Sequence, residues 1–292
     1  MRTTFLALLL AASPISAFAQ DFSKVEVKAM KVAGSVYLIT GAGGNIGVSV
    51  GDDGIVLVDD QYAPLAPKIE AALATITDKP VRFILNTHYH GDHTGGNEHF
   101  GKSAPIVAHE NVRKRLKEGM TTPQRTVPPA PKGALPVLTF NDSVTIHING
   151  EDVRAVHFPH AHTDGDSVIW FTQSNVIHMG DNFFNGAFPF IDLDSGGSVK
   201  GKIDVVEKVA SMITADTKVI AGHGPLGDRK ALLAYAAMIR ETAAVVAEGI
   251  KAGKSAEQLK EEKVLAAWDE AWGKGFIKAD RYIDTLYRDL SR

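Results

Sequence analysis

Hydrophobic positions along the chain form short runs interrupted by glycine, alternating with stretches in which they recur at helical spacing. In the first third, these patterns predict strands at residues 35–40, 46–50 and 54–59, a helix at 63–76 and a further strand at 81–85. The last strand is expected to be buried on both faces, as in a parallel sheet. The first third of the chain therefore predicts a sheet with a helix packed on it.

The same alternation returns in the rest of the chain. A helix is predicted near residues 110–117, whereas residues 120–136 carry five prolines and are predicted to form a loop or excursion outside the core. Ser255 and Gln258 have the spacing of a capping box for a helix near the end. The other predicted elements are strands at 144–148, 153–158, 168–172, 176–179 and 218–221, and helices at 199–214 and 229–251.

This order of elements predicts two similar halves, each with strands and helices. Such halves pack sheet against sheet, with the helices on the outside. No linker-like segment divides them. We therefore expect one α/β domain over residues 20–292.

The first 19 residues differ from the rest of the chain. Arg2 precedes an apolar run from Phe5 to Ala12, and small residues stand at positions −3 and −1 of a cleavage site after Ala19. The apolar run is much shorter than the roughly 20 residues of a membrane-spanning helix. We expect residues 1–19 to be a signal peptide and the protein to be exported without stable membrane insertion. It would be periplasmic if the host has an outer membrane, and otherwise secreted.

Composition narrows the chemistry of any functional site. The chain has 45% hydrophobic and 22% charged residues, as is ordinary for a folded protein. Its formal net charge of −3 comes with no long basic run, so nucleic acid is not an expected partner. Cysteine is absent from the sequence, which excludes thiolate metal ligands, catalytic cysteine and iron–sulfur clusters. A metal site must therefore be built from His, Asp and Glu.

The strongest chemical signal follows the predicted strand at 81–85. The sequence Thr-His-Tyr-His-Gly-Asp-His places His88, His90, Asp92 and His93 within six residues. A lone histidine is more often a surface or hydrogen-bonded residue, but three imidazoles and a carboxylate together make a ligand set suited to zinc. We interpret this segment as part of a metal site.

This segment resembles the His-x-His-x-Asp-His signature of the metallo-β-lactamase superfamily. Three later motifs match the family pattern in order, with His162 before Thr and Asp, Asp181 after Met-Gly, and His223 within Ala-Gly-His-Gly-Pro. The resemblance implies a four-layer αβ/βα sandwich with metal ions at one end of its two sheets. It also implies two zinc ions, the first bound by His88, His90 and His162, the second by Asp92, His93 and His223, with Asp181 contacting both.

The resemblance further implies zinc-dependent hydrolysis. A zinc-bound hydroxide would cleave a cyclic amide or ester carbonyl of a small-molecule substrate, with Asp92 as both ligand and proton acceptor. β-Lactamase activity is among the expected activities. The cysteine-free β-lactamase subclass typically lacks a bridging acid, however, and Asp181 is more typical of lactonases, thioesterases and phosphodiesterases of the superfamily. A di-iron redox protein on the same scaffold is a further alternative, because His and carboxylate ligands also suit iron.

Other residues near these motifs are assigned simpler roles. His160 lies two residues before His162, but the Thr that follows His162 favours the latter as the ligand. Asp166 is expected to orient a ligand without binding metal. The aromatic-rich segment 182–198 is expected to be either a wall of the substrate cleft or part of the core. The remaining histidines are expected at the surface or in packing roles, namely His99, His109, His147, His157 and His178.

Overall fold

The computed structural model describes residues 21–121 and 126–292. The predicted signal peptide at 1–19 lies outside the described residues. Within these two ranges, no helix combines the length and the apolar character needed to cross a membrane.

The first half of the chain forms a seven-stranded sheet. Its strands, numbered along the chain and given in spatial order, are β1 (Lys28–Ala33), β2 (Val36–Thr40), β3 (Ile46–Gly51), β4 (Gly54–Val58), β5 (Val81–Leu85), β6 (Ile106–His109) and β9 (Leu138–Phe140). Neighbours from β1 to β4 are antiparallel, whereas β4, β5, β6 and β9 run parallel. The loops that follow β4 and β5 therefore leave the sheet at the same edge.

Three strands of this sheet, β1, β6 and β9, were not predicted, because β1 and β9 are largely exposed and β6 has only four residues. The expectation that β5 is buried on both faces is wrong at its start, where Arg82 is exposed. The described residues of the proline-rich range, 120–121 and 126–136, stay outside both main sheets as predicted, and β7 (Met120–Thr121) pairs antiparallel with β8 (Thr126–Val127). The helices of this half are α1 (Ala66–Ala74), α2 (Gly91–Thr94), α3 (Asn97–Phe100) and α4 (Glu110–Glu118).

The second half forms a six-stranded sheet. Its strands in spatial order are β10 (Ser143–Ile148), β11 (Glu151–His157), β12 (Ser167–Phe171), β13 (Val176–His178), β14 (Lys218–Ile220) and β15 (Gly227–Asp228). β13 and β14 are parallel, so the loops that follow them also leave at one edge.

Five helices belong to the second half, namely α5 (Val199–Met212), α6 (Arg229–Lys251), α7 (Ala256–Glu261), α8 (Ala266–Trp272) and α9 (Ala279–Leu290). Side chains cap the first turns of several of them. Ser198 accepts a hydrogen bond from the backbone N–H of Gly201 at the start of α5. The predicted capping box is confirmed, because Ser255 and Gln258 exchange hydrogen bonds at the start of α7.

Three hydrophobic clusters hold the layers together. Between the sheets, residues such as Leu38 and Val56 share a buried cluster with Ile169 and Phe171. On the outer face of the first sheet, the cluster includes α1 through Ile69. The cluster outside the second sheet is formed with α5, α6 and α9. The order of layers is thus helix, sheet, sheet, helix, which confirms the predicted αβ/βα sandwich.

Candidate metal centre

Two histidines of the loop after β5 belong to one cluster. The buried side-chain amides of Asn86 and Asn97 exchange hydrogen bonds of 3.0 and 2.9 Å, which fix the start of this loop. Beyond it, His88 and His90 point the same way, with His88 Nε2 lying 3.1 Å from His90 Nδ1. Two of the predicted ligands therefore converge as their spacing suggested.

Loops of the second sheet add His162 and Asp181. His162 follows β11, and its Nε2 lies 2.9 Å from His90 Nδ1. Asp181 lies in a 3₁₀ turn just after β13, with Oδ2 at 3.7 Å from His88 Nε2 and 3.5 Å from His162 Nε2. All four side chains are buried, and each offers a ligand atom within 4.8 Å of the others.

A second set of ligand atoms adjoins the first. α2 carries Asp92 and His93, and the loop after β14 carries His223, whose Nε2 lies 3.2 Å from Asp92 Oδ2 and 3.4 Å from His93 Nε2. Asp181 Oδ1 lies 3.0 Å from His93 Nε2 and 3.4 Å from His223 Nε2. Asp181 thus presents one carboxylate oxygen to each set. The structure brings all seven predicted site residues together.

Hydrogen bonds on the outer side of the imidazole rings determine which nitrogens face the cluster. His162 Nδ1 donates to the carbonyl oxygen of Phe190 at 2.9 Å. His90 Nε2 donates to Asp192 Oδ2, also at 2.9 Å. Because a neutral imidazole has one N–H, the nitrogens of these two rings that face the cluster are unprotonated acceptors. Metal-binding histidines are oriented by outer partners in this way.

Asp59 orients one histidine of each set. It is fully buried just after β4, and its Oδ2 accepts hydrogen bonds from His93 Nδ1 and from the Thr87 hydroxyl, both at 2.7 Å. Since the hydroxyl proton of Thr87 points to Asp59, the Thr87 oxygen accepts from His88 Nδ1 at 3.0 Å. His88 therefore also turns an unprotonated Nε2 toward the cluster, and the bond to Asp59 leaves Nε2 as the nitrogen of His93 that faces it.

The atoms that face one another in the cluster fit metal cations. Nitrogens with lone pairs from three histidines, His88, His90 and His162, lie close together with no proton to share, and a cation between them would compensate their repulsion. Asp181 Oδ1 is buried, and it accepts no well-formed hydrogen bond from the residues that the structure describes. Imidazole and carboxylate ligands without thiolate suit zinc and also iron.

Burial and the carboxylates of Asp92 and Asp181 shift the pKa values of the clustered histidines in opposite directions. Burial lowers the pKa of His88 and of His162 well below the ordinary value, so both rings are neutral. Burial acts the same way on His93, but the charges of Asp181, Asp92 and Asp59 together outweigh it and raise the pKa of His93. Against burial, Asp181 also raises the pKa of His223 to about 9. The pKa of Asp181 itself is held well below its usual range, against burial, by His223 and His93.

Because two glycines have no side chain, there is room beside them for residues of the cluster. A Cβ on Gly44 would lie 2.1 Å from Cε1 of His93, and a Cβ on Gly222 would lie 2.2 Å from Asp181 Oδ1. Any other residue at either position would displace a member of the cluster.

A buried lysine lies behind Asp181. Lys202 of α5 is fully buried, and its Nζ donates a hydrogen bond to the backbone carbonyl oxygen of Asp181. The Nζ atom also lies 5.1 Å from the ring centroid of Phe184. Burial lowers the pKa of Lys202 to about 8. This helix therefore reaches the site from the outer layer of the sandwich.

The cluster opens to solvent on the side of Asp92 and His223, whose side chains are 22% and 20% exposed. The remaining members of both sets are buried. Burial would raise the pKa of Asp92, but His93 and the hydrogen bond with His223 lower it to about 2. An ionised, partly open carboxylate therefore stands where a small molecule can approach.

In the structure His162 belongs to the cluster whereas its neighbours His160 and Asp166 do not, as the sequence suggested. His160 is exposed and its Nδ1 lies 3.1 Å from the carbonyl oxygen of Gly196. Asp166 accepts hydrogen bonds from the backbone N–H groups of His162 and Thr163 at 2.6 and 2.8 Å, so it holds the backbone of a cluster residue.

The aromatic segment 182–198 serves both of the expected roles. Phe183 and Phe188 are fully buried in the core. Phe184 stacks on His223, with ring centroids 5.1 Å apart, and the ring of Phe190 contacts His90 and His162. The five histidines without motif context lie outside the cluster, with His99 and His147 paired to carboxylates, His109 stacked on His157, and His178 bonded to backbone.

Sequence reasoning missed three residues that support the cluster, namely Asp59, Asp192 and Lys202. A signal existed for Asp59, because it ends a buried strand whose parallel neighbour carries the histidine motif. Asp192 and Lys202 are distant from the ligands along the chain. Only the fold brings them to His90 and Asp181.

The sequence profile of the metallo-beta-lactamase superfamily matches residues 32–233. The chain is 27% identical over 162 residues to the alpha subunit of a 2,4-dinitroanisole O-demethylase from Nocardioides sp., a match that covers 53% of this chain and 46% of the relative. It is 23% identical over 242 residues to a type 2 metallo-beta-lactamase from Bacteroides fragilis, covering 78% and 91% of the two chains.

Solved structures share the fold. A metallo-beta-lactamase from Pontibacter korlensis superposes with a TM-score of 0.59 at 19% identity, covering 73% of this chain and 99% of that one. The profile match, the sandwich and the grouped His and Asp residues agree. The chain belongs to the metallo-β-lactamase superfamily.

Proposed function

We propose that this protein is a dinuclear zinc hydrolase that cleaves a cyclic amide or ester carbonyl of a small-molecule substrate. The hydrolytic domain would span residues 20–292. The first 19 residues would direct export, to the periplasm in a host with an outer membrane. The superfamily consists largely of hydrolases, and the proposal narrows this general activity to a metal pair and a substrate class.

The observation that carries the proposal is the division of seven side chains into two sets by Asp181. One of its oxygens faces His88 and His162, and the other faces His93 and His223. A carboxylate that binds one cation through each oxygen holds two cations close together and offsets their repulsion.

A bound metal pair lowers the pKa of water toward neutrality and polarises the carbonyl oxygen under attack. The residues of the chain supply the rest. Asp92 is ionised and partly open, so it can accept a proton from the attacking water. Phe184 and Phe190 line the cluster and exclude water from the buried histidines. No serine or cysteine nucleophile is needed.

The substrate class is proposed from the same residues. The side chains that contact the two sets are aromatic, acidic or, in the case of Thr87, a hydroxyl, and Lys202, which donates to the backbone of Asp181, is buried behind it. Phosphate esters usually recruit Arg or Lys groups that contact the phosphate directly, so this arrangement favours a carbonyl. The relative from Bacteroides fragilis is named a metallo-beta-lactamase, which supports including β-lactams among the substrates.

The test is metal analysis combined with hydrolysis assays on the full mature chain. We expect close to two zinc ions per chain, and kcat/KM for a β-lactam or a lactone at least about tenfold above that for a phosphodiester. A thioester is included because superfamily members cleave thioesters. One metal per chain, a predominance of iron after native expression, or equal rates on the phosphodiester would contradict the proposal.

A further inference from the structure

The chain beyond residue 233 lies outside the region that the superfamily profile matches, yet part of it reaches the metal cluster. α9 packs against α5, α6 and α7 in the outer layer. The turn between α8 and α9 carries Phe276, and the first half of α9 carries Arg281. This C-terminal segment therefore adds side chains near the cluster that the profile region does not supply.

Phe276 stands at the open side of the cluster. Its side chain is 56% exposed, although it is a large apolar ring. Its ring centroid lies 5.8 Å from that of His223 and 5.9 Å from that of Phe184. Because His223 is one of the two cluster residues that are partly open, the face of Phe276 is available to a molecule that approaches the metals.

On another side of the cluster, α9 borders a cavity of about 600 Å³. Phe190 forms part of its wall, with ring centroids 5.7 Å from His90 and 5.6 Å from His162. The guanidinium carbon of Arg281 lies 5.3 Å from the centroid of Phe190, in a cation–π contact. Arg281 is thus separated from the buried histidines by one aromatic ring.

Arg281 is a charged side chain of this cavity that has neither an ion pair nor a side-chain hydrogen bond among the described residues. It is exposed, and its guanidinium lies over the ring of Phe190. The other charged groups of the lining are occupied, since Arg288 pairs with Asp194, Asp284 pairs with Lys260, and Asp192 accepts hydrogen bonds from His90 and Tyr89. The N–H donors that these charged groups leave for a ligand are therefore those of Arg281.

We propose that Phe276 and Arg281, which stand on two sides of the cluster, bind two different parts of one substrate and together form a subsite that selects carbonyl compounds carrying both an apolar group and a carboxylate. The guanidinium offers paired N–H donors that match a carboxylate, and its stacking on Phe190 holds the donors in place. Phe276 packs against the apolar part of the substrate. The inference rests on the proposed hydrolytic function, which it extends to a substrate class.

The first experiment compares a carboxylate substrate with its neutral ester. Benzylpenicillin and benzylpenicillin methyl ester share the reacting carbonyl and the phenyl group. We expect the zinc-loaded protein to prefer the acid by about tenfold or more in kcat/KM, with the difference in KM. Arg281→Gln should abolish the preference by raising KM for the acid alone. Arg240→Gln, which alters an exposed arginine paired with Glu207, is the matched control and should change neither substrate.

Phe276→Ala separates the apolar contact from the charge. It should raise KM for acid and ester alike and leave the preference for the acid intact, because Arg281 remains. Equal use of acid and ester by the parent, or an unchanged preference in Arg281→Gln, would overturn the subsite.

Binding of phenylacetate and phenylacetamide, measured by calorimetry, tests the subsite without hydrolysis. We expect Arg281→Gln to weaken phenylacetate about tenfold and phenylacetamide little. Unchanged binding of phenylacetate would show that its carboxylate lies elsewhere, and the subsite would be wrong. If binding depends on Arg281 but no carbonyl substrate is cleaved, the subsite stands and the proposed hydrolytic function fails.

Discussion

Asp92 differs from the other carboxylate of the cluster because it is partly open to solvent and belongs to only one of the two sets of ligand atoms. Asp92→Asn keeps the size of the side chain but removes the charge that accepts a proton. We expect kcat to fall by at least about 100-fold, as is typical for loss of a general base, with the fold retained. Steady-state kinetics with parallel metal analysis measure the effect. Asp52→Asn, in the exposed turn after β3, is the control, and a near-normal rate with full metal would exclude Asp92 as the acceptor.

Asp59 contacts neither set of ligand atoms directly, yet it fixes the rings of His93 and, through Thr87, of His88. Asp59 Oδ2 accepts both of these hydrogen bonds, and Oδ1 accepts from the backbone N–H of Thr87. Asp59→Asn replaces one of the two oxygens with a donor, so either both bonds at Oδ2 are lost or the new donor faces the Thr87 N–H, and the removed charge weakens the bond from His93 in either case. Loss of such an outer partner weakens metal binding by about 10- to 100-fold. A zinc titration against a competing chelator should show both binding steps weakened, because one histidine of each set is affected.

A second aspartate–histidine pair provides the control for Asp59. Asp152 accepts from His147 at 2.6 Å, far from the metal cluster and largely in solvent. Asp152→Asn should leave both zinc affinities unchanged. If Asp59→Asn gave the same unchanged titration, the tautomers of His88 and His93 would have to be fixed by another group.

Among individual residues, the sequence indicated the side chains that the structure brings into the cluster, but not the side chains that support them. A short motif rich in His and Asp is a strong signal for a metal site, because few other roles require three imidazoles within six residues. Asp192 and Arg281 carry no such signal. Each is an ordinary charged residue until the fold brings it to His90 or to Phe190.

Among the secondary-structure elements, α5 connects the outer helix layer to the metal cluster through Lys202. Lys202→Met keeps the length and apolar contacts of the side chain but removes the donor to the buried carbonyl oxygen of Asp181. An unsatisfied buried acceptor costs about 1–3 kcal/mol in the free energy of unfolding. We also expect weaker zinc binding, because the turn that carries Asp181 loses the hydrogen bond that anchors it to α5. Urea denaturation and zinc titration measure the two effects.

Lys208→Met is the matched control for Lys202, since it makes the same change on the exposed face of the same helix. It should alter neither the free energy of unfolding nor zinc affinity by a measurable amount. A Lys202→Met protein with the stability and zinc affinity of the parent would show that the turn at Asp181 does not depend on α5.

The accuracy of the element predictions follows from how each element packs. α5 and α6 bury one continuous stripe, so apolar spacing predicts them to within a few residues. β6 and β9 consist of four and three residues and are defined by their pairing partners. A pattern within so short a segment is too weak to indicate a strand, because pairing with a distant part of the chain determines it.

At the scale of the whole molecule, the cluster depends on the contact between the two halves of the sandwich. Their shared apolar cluster joins the sheets, and the site forms where the loops of both sheets meet. One further contact between the halves is polar. His109, at the end of β6, stacks on His157, at the end of β11, with ring centroids 3.6 Å apart and planes 11° apart. Both rings must be neutral for this stacking to be favourable.

The stacked pair predicts acid sensitivity of the fold. Burial, together with the neighbouring His157, lowers the pKa of His109 to about 4, and burial also lowers the pKa of His157. Because the pKa of His109 is lower in the folded than in the unfolded state, the unfolded state binds more protons between pH 6.5 and about 4. The contribution of this group is therefore fully present above pH 6.5 and is lost as the pH falls through that window. Glu110, Asp142 and Asp164 oppose this effect only in part, since the pKa values remain lowered.

His109→Asn tests this prediction without disturbing the helix that follows. His109 caps α4 by accepting a hydrogen bond from the backbone N–H of Asn111, and asparagine is a good replacement at that position. Urea denaturation of the metal-free protein from pH 7.5 to 4.5 should show that stability falls less steeply in His109→Asn than in the parent. The histidines of the cluster are the same in both proteins, so the difference between the curves isolates the stack. His147→Asn, which alters an exposed histidine, should follow the parent. Parallel curves for His109→Asn and the parent would mean that the pair does not couple protonation to the association of the two halves.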